Sequence, residues 1–432
     1  LRRPTQHQVW EGGAVVRDVR YGWGFDARLH GLRDPSRGIE LEFQHDALGQ
    51  LAWARSDQSF QTRMPDAVGN LFLRGDRADR HYGPAGQVLA RSTEAGIHRY
   101  RYDADGQLVE WTEPDGGRWS FSWRVAGTLE SVTRPDGAVV RFSYDALGRR
   151  FAKTFAGETT RWLWDGQAPL HEWREPIDSP AELGSEGAIT WIFDPGTLSP
   201  AAKLVGDRRY SIVSNELGVP VAMFDELGAC VWAGELDIFG HMHVSLGARD
   251  DCPFRWPGQY EDIETGLYYN RHRYYDPRSG LYISPDPLGL EGGRALYAYP
   301  IDPLVLVDPL GLNVRTGAGR DSVTYRGVKD GKYYTGYASA PSSLGLEPQE
   351  IVARRYGGNF SVFGDVEPLP IYSGSGEAGK ETARGLEQHY YEQDVKTYGK
   401  QGVANKQNPV GPRNKKRDKY KKAADAHLKG CS

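Results

Sequence analysis

The sequence predicts a mainly β protein: a long body of antiparallel hairpins, followed by a small α+β domain at the C-terminal end. Three observations carry this. A short unit (aromatic, Asp, two residues, Gly, polar, apolar) returns along the body. Between its copies, polar and apolar residues alternate with period two, the mark of half-buried strands. After Leu312 the charge changes sign. Residues 313–432 hold 12 Lys and 8 Arg against 6 Asp and 7 Glu, a balance of +7. The whole chain carries −4, so residues 1–312 carry −11. Such asymmetry says that the two parts meet different partners or partly neutralise each other.

The 432 residues exceed one ordinary domain. Gly 53, Trp 12 and Tyr 24 suit short strands and tight turns. The repeated unit begins with Phe43-Gln44-His45-Asp46-Ala47-Leu48-Gly49. It recurs as Tyr102-Asp103-Ala104-Asp105-Gly106 and as Tyr144-Asp145-Ala146-Leu147-Gly148. Weaker copies stand at Tyr82-Gly83-Pro84-Ala85-Gly86 and Phe224-Asp225-Glu226-Leu227-Gly228. Asp and Gly turns between alternating segments such as Arg118–Trp123 predict hairpins that bury their faces on their neighbours. These strands fill residues 1–252.

Residues 253–312 read as a separate cap, dense in Tyr, Arg and Gly from Pro257 to Pro277. One pentapeptide occurs twice here, as Asp286-Pro287-Leu288-Gly289-Leu290 and as Asp308-Pro309-Leu310-Gly311-Leu312. Each copy is locally a turn, with Pro fixing φ and Gly supplying a positive one. The second copy closes the segment where the composition breaks. Two aspartates brought together there could share a proton, the basis of aspartic proteolysis. Asp276 and Asp302 also precede Pro and read as turn residues.

Cys230, Cys252 and Cys431 give neither a disulfide framework nor metal-ligand spacing, which fits a reducing cytoplasm. No apolar run is long enough to span a bilayer, so stable membrane insertion is not expected. The start, Leu1-Arg2-Arg3-Pro4, lacks a signal peptide's apolar core. The missing initiator Met suggests a fragment or a processed product.

The YD units, followed by Gly258-Gln259-Tyr260 and the run through Tyr268-Tyr269-Asn270 to Tyr274-Tyr275-Asp276-Pro277, resemble the rearrangement-hotspot (Rhs), or YD-repeat, family over about residues 40–312. The resemblance implies repeats wound into a hollow β-cocoon that encloses a C-terminal toxin. It also implies a cap ending in Pro-x₄-Asp-Pro-x-Gly-Leu that cuts itself after the Leu. That motif starts here at Pro303, and the implied cut is Leu312/Asn313. Such a cut needs a proton acceptor and a proton donor, for which Asp286 and Asp308 are the candidates, with no cofactor. Arg273 resembles the family's cap arginine and would hold one carboxylate ionised. The resemblance further implies production in a bacterial cytoplasm and export by a contact-dependent secretion machine with its spike and a chaperone. A cognate immunity protein and action in the target cell's cytoplasm belong to the same expectation.

Residues 313–432 read as a hairpin, Asp321–Val328 and Lys332–Ala338 about an Asp330-Gly331 type I′ turn. Helices are predicted over Pro348–Tyr356, Glu381–Glu392 and Arg413–Lys422, with a loop over Gly402–Pro412. The last helix is basic, an electrostatic footprint for phosphate backbones. The hairpin, with Tyr325 and Tyr334-Thr335-Gly336, resembles a degenerate GIY-YIG nuclease signature; Thr324-Tyr325 stands where Ile-Tyr is usual. The resemblance implies roles for Tyr325, for Tyr334, for Arg354 or Arg355, and for Glu387 as ligand of one divalent metal such as Mg²⁺, with nucleic acid as substrate. Two other readings stay open. An ADP-ribosyltransferase would use Arg326 with Ser339 or Ser342-Ser343, but lacks a Glu-x-Glu pair, Glu347 and Glu350 being three apart. A non-enzymatic domain would bind nucleic acid without cutting it. His389 stands alone and reads as a surface or packing residue.

Overall fold

The computed structural model describes residues 4–11, 13–25, 28–47, 49–178, 187–194, 197–291, 295–312, 315–316, 320–341, 348–357, 359–364, 367–412 and 414–430. Asn313, Ser342, Ser343, Glu347, Arg413 and Cys431 lie outside the described residues. The chain forms two compact units, Leu1–Arg315 and Thr316–Ser432.

The first unit is built almost wholly of meanders. Six strands, from Gln6–Glu11 to Phe60–Thr62, form one sheet in chain order. Sixteen more, from Arg80–Tyr82 to Met242–Leu246, form a second, each beside its predecessor. The repeated unit is the turn that makes this possible. The Asp103 Oδ1 accepts the Asp105 and Gln107 N–H groups at 3.0 and 2.8 Å. The Asp145 Oδ1 takes those of Leu147 and Arg149, and the Asp225 Oδ1 those of Leu227 and Ala229. The glycine three residues on has φ of 80° at Gly106, 72° at Gly148 and 84° at Gly228, a region that disfavours a Cβ. Asp supplies the acceptor, Gly the reversal, and the aromatic before Asp ends the incoming strand.

Residues 253–312 belong to the same compact unit as the strands before them. Their four-stranded sheet (Tyr260–Asp262, Leu267–Asn270, Arg273–Asp276 and Leu281–Tyr282) is buried at every position. One face shares a core with the wall: Leu267, Tyr269, Tyr274 and Leu281 pack with Trp111, Phe121, Leu129 and Phe142. The other packs Tyr268, Tyr275 and Tyr282 with Trp256, Tyr299 and Val307. A sheet covered on both faces needs no alternation, which is why Tyr follows Tyr here. The sheet is also pinned by charge. Arg150 pairs with Asp262, both almost fully buried, and its guanidinium lies 4.5 Å from the Tyr269 ring centroid and 4.6 Å from that of Trp162.

The second unit is α+β, as the sequence predicts. The Arg320–Lys329 strand is central, between Lys332–Pro341 and Leu369–Ser375, all antiparallel. Asp330 and Gly331 have φ of 51° and 72°, the signs a type I′ turn requires. Helices α1 (Pro348–Arg355), α2 (Gly376–Tyr398) and α3 (Arg417–Gly430) complete it. Two expectations are corrected. α2 is longer than Glu381–Glu392, because Gly379 lets the helix start run against Gly374; a Cβ there would sit 2.2 Å from a backbone carbon of Gly374. The basic helix starts at Arg417, because the Asn414 side chain accepts the Lys416 N–H and turns the chain first. No helix among the described residues is long and apolar enough to cross a membrane.

Candidate functional site

The first site is the end of the cap. Strand Leu267–Asn270 turns tightly into Arg273–Asp276. Arg273, 3% exposed, is aimed between the two pentapeptides. Its Nη2 reaches the Asp286 Oδ2 at 2.9 Å and the Asp308 Oδ2 at 3.2 Å. Its Nε donates to the Gly311 carbonyl and its Nη1 to the Leu296 carbonyl at 3.0 Å. Leu296 O also accepts the Asp286 N–H at 2.9 Å, so one carbonyl fixes the arginine and the first aspartate together. Sequence positions 286 and 308, both nearly buried, therefore meet on a single nitrogen, as the repeated pentapeptide predicts.

Each carboxylate has further partners. Asp286 Oδ1 accepts the Leu288 N–H at 2.9 Å. Asp308 Oδ1 accepts the Leu312 N–H at 3.0 Å, which sets this carboxylate against the residue ahead of the expected cut. Asp308 Oδ2 also accepts the Tyr282 hydroxyl at 2.9 Å. Burial pushes the Asp286 carboxyl above its ordinary range. The negative charge of Asp308 adds to this, while Arg273 and the Leu288 N–H oppose it.

Tyr282 and Asn270 were not visible in the sequence as members of this site. Asn270, fully buried, donates to the Tyr282 hydroxyl at 2.7 Å and to the Asp308 carbonyl at 2.8 Å. The Arg273 guanidinium lies 3.7 Å from the Tyr282 ring centroid, and a desolvated cation–π contact contributes about 2 kcal/mol. Gly311 has φ of 69°, and a Cβ there would stand 2.7 Å from the Asn270 carbonyl oxygen, so only Gly fits the turn. Asp276 and Asp302 do serve turns: Gly280 N–H bonds the Asp276 carbonyl and Leu306 N–H that of Asp302.

The second site lies within residues 316–432. Buried Tyr325 shares a hydrogen bond of 2.7 Å with the hydroxyl of Tyr356, and its ring lies 6.2 Å from that of Tyr334. Burial, then the neighbouring phenols, raise the Tyr325 hydroxyl far above its ordinary range. Both arginines at the end of α1 are exposed, and the charge of Arg355 acts on Tyr325, Tyr334 and Tyr356 and on Glu387. Of the two candidate arginines, Arg355 is the one brought in. Glu387 on α2 is buried, and desolvation pushes its carboxyl up to about 7 against the pull of Arg384 and Arg355. Arg384 Nη1 donates to Glu387 Oε2 at 2.6 Å and its Nη2 to the Pro409 carbonyl at 2.9 Å. Asn405 ties its loop to the hairpin through both backbone groups of Thr335. Gly336 is required beneath Tyr325, since a Cβ would lie 2.4 Å from the phenol. Tyr356, Arg384 and Asn405 were missed as site residues; the i, i+3 spacing of Arg384 and Glu387 was the available signal. Arg326 pairs with Asp394 and lies over Tyr390. Among the described residues no group of three acidic, His or Cys side chains forms a metal site.

A meander of Asp/Gly-turned hairpins closed by a buried aspartate pair defines a YD-repeat shell. The chain matches the Teneurin YD-shell family model over residues 34–292 and belongs to that family. It is 30% identical over 346 residues to the double-stranded DNA deaminase toxin A of Burkholderia cenocepacia, covering 72% of this chain and 24% of that protein. It is 32% identical over 345 residues to toxin protein Tse5 of Pseudomonas aeruginosa, covering 68% and 25%. To the probable deoxyribonuclease RhsB of Dickeya dadantii it is 30% identical over 307 residues, covering 63% and 20%. The chain thus spans a quarter or less of the length of these relatives. A solved Tc holotoxin pore from Photorhabdus luminescens is 18% identical, covers 71% of this chain and 19% of that one, and aligns with a TM-score of 0.42.

Proposed function

We propose that residues 1–312 are the closing part of a bacterial toxin's shell, that this part cuts its own chain after Leu312, and that residues 313–432 are its enclosed cargo, a metal-dependent nuclease. The observation that carries the cut is the sharing of Arg273 Nη2 by Asp286 and Asp308, with the second oxygen of Asp308 on the Leu312 N–H. In this reading Asp286, whose carboxyl burial pushes up, holds the proton. Asp308, fixed by Tyr282 and Arg273, takes a proton from water. The water oxygen bonds to the Leu312 carbonyl carbon, and the proton of Asp286 goes to the leaving Asn313 nitrogen as the peptide bond breaks. Arg273 offsets the negative charge of the pair throughout.

Arg273→Lys tests this reading. A single ammonium cannot bond two carboxylates and two carbonyls at once. The substitution should slow appearance of the 313–432 fragment by about 100-fold in a time course on denaturing gels. A wild-type rate would remove Arg273 from the reaction.

The cargo reading rests on Tyr325, Tyr334 and Tyr356 clustering beside α1 and on Arg355, whose charge acts on these phenols and on Glu387 of α2. The Glu387 carboxylate suits Mg²⁺, which binds through one or two carboxylates, several waters and substrate phosphates. Bound there, the metal would supply Lewis-acid stabilisation of the scissile phosphate. Arg355 would steady the charge that develops on it, and the basic face of α3 would hold the backbone. The ion pair of Arg326 with Asp394 disfavours its use as an NAD-binding arginine. The relatives named as a deoxyribonuclease and as toxins support the class. An immunity protein, a secretion spike with its chaperone, export from a bacterial cytoplasm and action in the target cytoplasm belong to the same proposal.

Since the Glu387 carboxyl titrates near 7, cleavage of nucleic acid should rise with pH from 6 to 8, measured at fixed Mg²⁺. The sign for stability is opposite. Between its ordinary 4.5 and about 7 the folded domain holds a proton that the unfolded chain has released, so stability falls as pH rises through that window. A flat rate profile and a flat melting profile would remove Glu387 from both roles.

A further inference from the structure

The segment that leads into Asp308 is held from far away in the chain. Asp302 Oδ2 lies 3.0 Å from His45 Nε2, and both side chains are 3% exposed. His45 ends strand Ile39–His45 of the six-stranded sheet. Just before Asp302, the Pro300 carbonyl accepts Arg63 Nη2 at 2.8 Å, and the Ile301 carbonyl accepts the Leu51 N–H at 3.2 Å. Arg63, 3% exposed, also donates to the Ile238 carbonyl at 3.2 Å. Just after Asp302, Leu304 packs on the core of that sheet, beside Phe43 and Leu51. Three consecutive residues, 300 to 302, are therefore bonded to residues 63, 51 and 45.

Asp302 passes this anchorage on. Its Oδ1 accepts the Leu304 N–H at 3.1 Å, and its carbonyl accepts those of Val305 and Leu306 at 3.2 and 2.9 Å. This turn feeds Leu306–Val307 and then Asp308. A buried polar pair of this kind offers little net stability over a well-packed apolar one. A hydrophobic pair would hold the sheet as well. What the pair does supply is a fixed direction and register for the chain that follows.

We infer that His45 and Arg63 are positioning residues for self-cleavage: they place Asp308 through Asp302, so the cut waits until the six-stranded sheet has folded against residues 300–304. This rests on the self-cleavage reading. It adds that the reaction reports completion of a wall more than 230 residues upstream of the bond, which prevents release of the cargo from an unfinished shell.

The whole chain is made by cell-free synthesis, and loss of the uncut band is timed on denaturing gels. Thermal melting shows that each variant is folded. His45→Phe keeps the ring and removes the hydrogen bond; it should cut about 10- to 100-fold more slowly. His45→Gln, which restores a donor at the Nε2 position, should recover much of the rate, a rescue that a loss of general stability would not show. Arg161→Met, which removes the pairing of Arg161 with Glu175 in the wall, should cut at the wild-type rate. Arg63→Met carries the test if His45→Phe does not fold. Wild-type rates in folded His45→Phe or Arg63→Met would overturn the inference while leaving self-cleavage intact. A wild-type chain that never cuts would instead sink the underlying reading.

Discussion

Asp308→Asn is expected to leave the chain in one 48.2 kDa piece on a denaturing gel, where the wild type separates into two. The asparagine keeps the shape, and its one carbonyl oxygen can still accept the Leu312 N–H, with the NH2 where Oδ2 accepts the Tyr282 hydroxyl. It cannot take a proton from water. General-base catalysis is worth about 10²–10⁴-fold. The uncatalysed hydrolysis of a peptide bond leaves no product on a laboratory timescale, so the loss should look complete. Asp286→Asn should behave the same way for the complementary reason, having no proton to give. The two variants share one property. The charge of Arg273, shared by two carboxylates in the wild type, keeps one of them in either variant, so both proteins should fold. Cleavage that persists in folded Asp308→Asn would assign the reaction to other groups.

The second large effect is expected at Glu387→Gln. Glu387 is a buried carboxylate of α2 that the charge of Arg355 reaches, and Arg384 fixes its orientation. Neutralising it removes the acceptor for a cation and leaves Arg384 and Arg355 without their anion. Expression of residues 313–432 should kill bacteria and degrade their nucleic acid, and Glu387→Gln should lower both by about 100-fold or more. The same assay separates the alternatives. An ADP-ribosyltransferase would label a protein target when given NAD and would ignore EDTA. A binding domain would retard nucleic acid on a gel and leave it intact. Nucleic acid cut equally by Glu387→Gln and wild type would end the assignment of this residue.

Much of the fold was legible because the information is local. An Asp that caps its own turn and a Gly at positive φ lie within four residues of each other, so each hairpin declares itself. Turns that lack the Asp were harder to see. Glu113–Gly116, Arg124–Gly127 and Arg134–Gly137 close through the same backbone bonds with the acceptor side chain missing or displaced. Asn215–Gly218 and Asp237–Gly240 lacked the preceding aromatic, yet their side chains bond as in the clear copies. The cap departed from alternation because it is buried on both faces.

The aspartate pair was legible for a different reason: repetition of an uncommon pentapeptide at a compositional break. Its support was not. Tyr282 and Asn270 reach Asp308 across neighbouring strands, and His45 reaches Asp302 across 257 positions. No local pattern encodes such contacts. In the C-terminal domain the hairpin and its glycines were readable, and Arg355 could not be told from Arg354 until α1 fixed which of them faces the tyrosines.

The most direct test of the central claim is the mass and N-terminal sequence of the products formed by the purified wild-type chain. The account predicts two fragments whose masses exceed that of the intact chain by one water, the smaller beginning at Asn313. A single intact species from folded protein, or a smaller fragment beginning at any other residue, would contradict it.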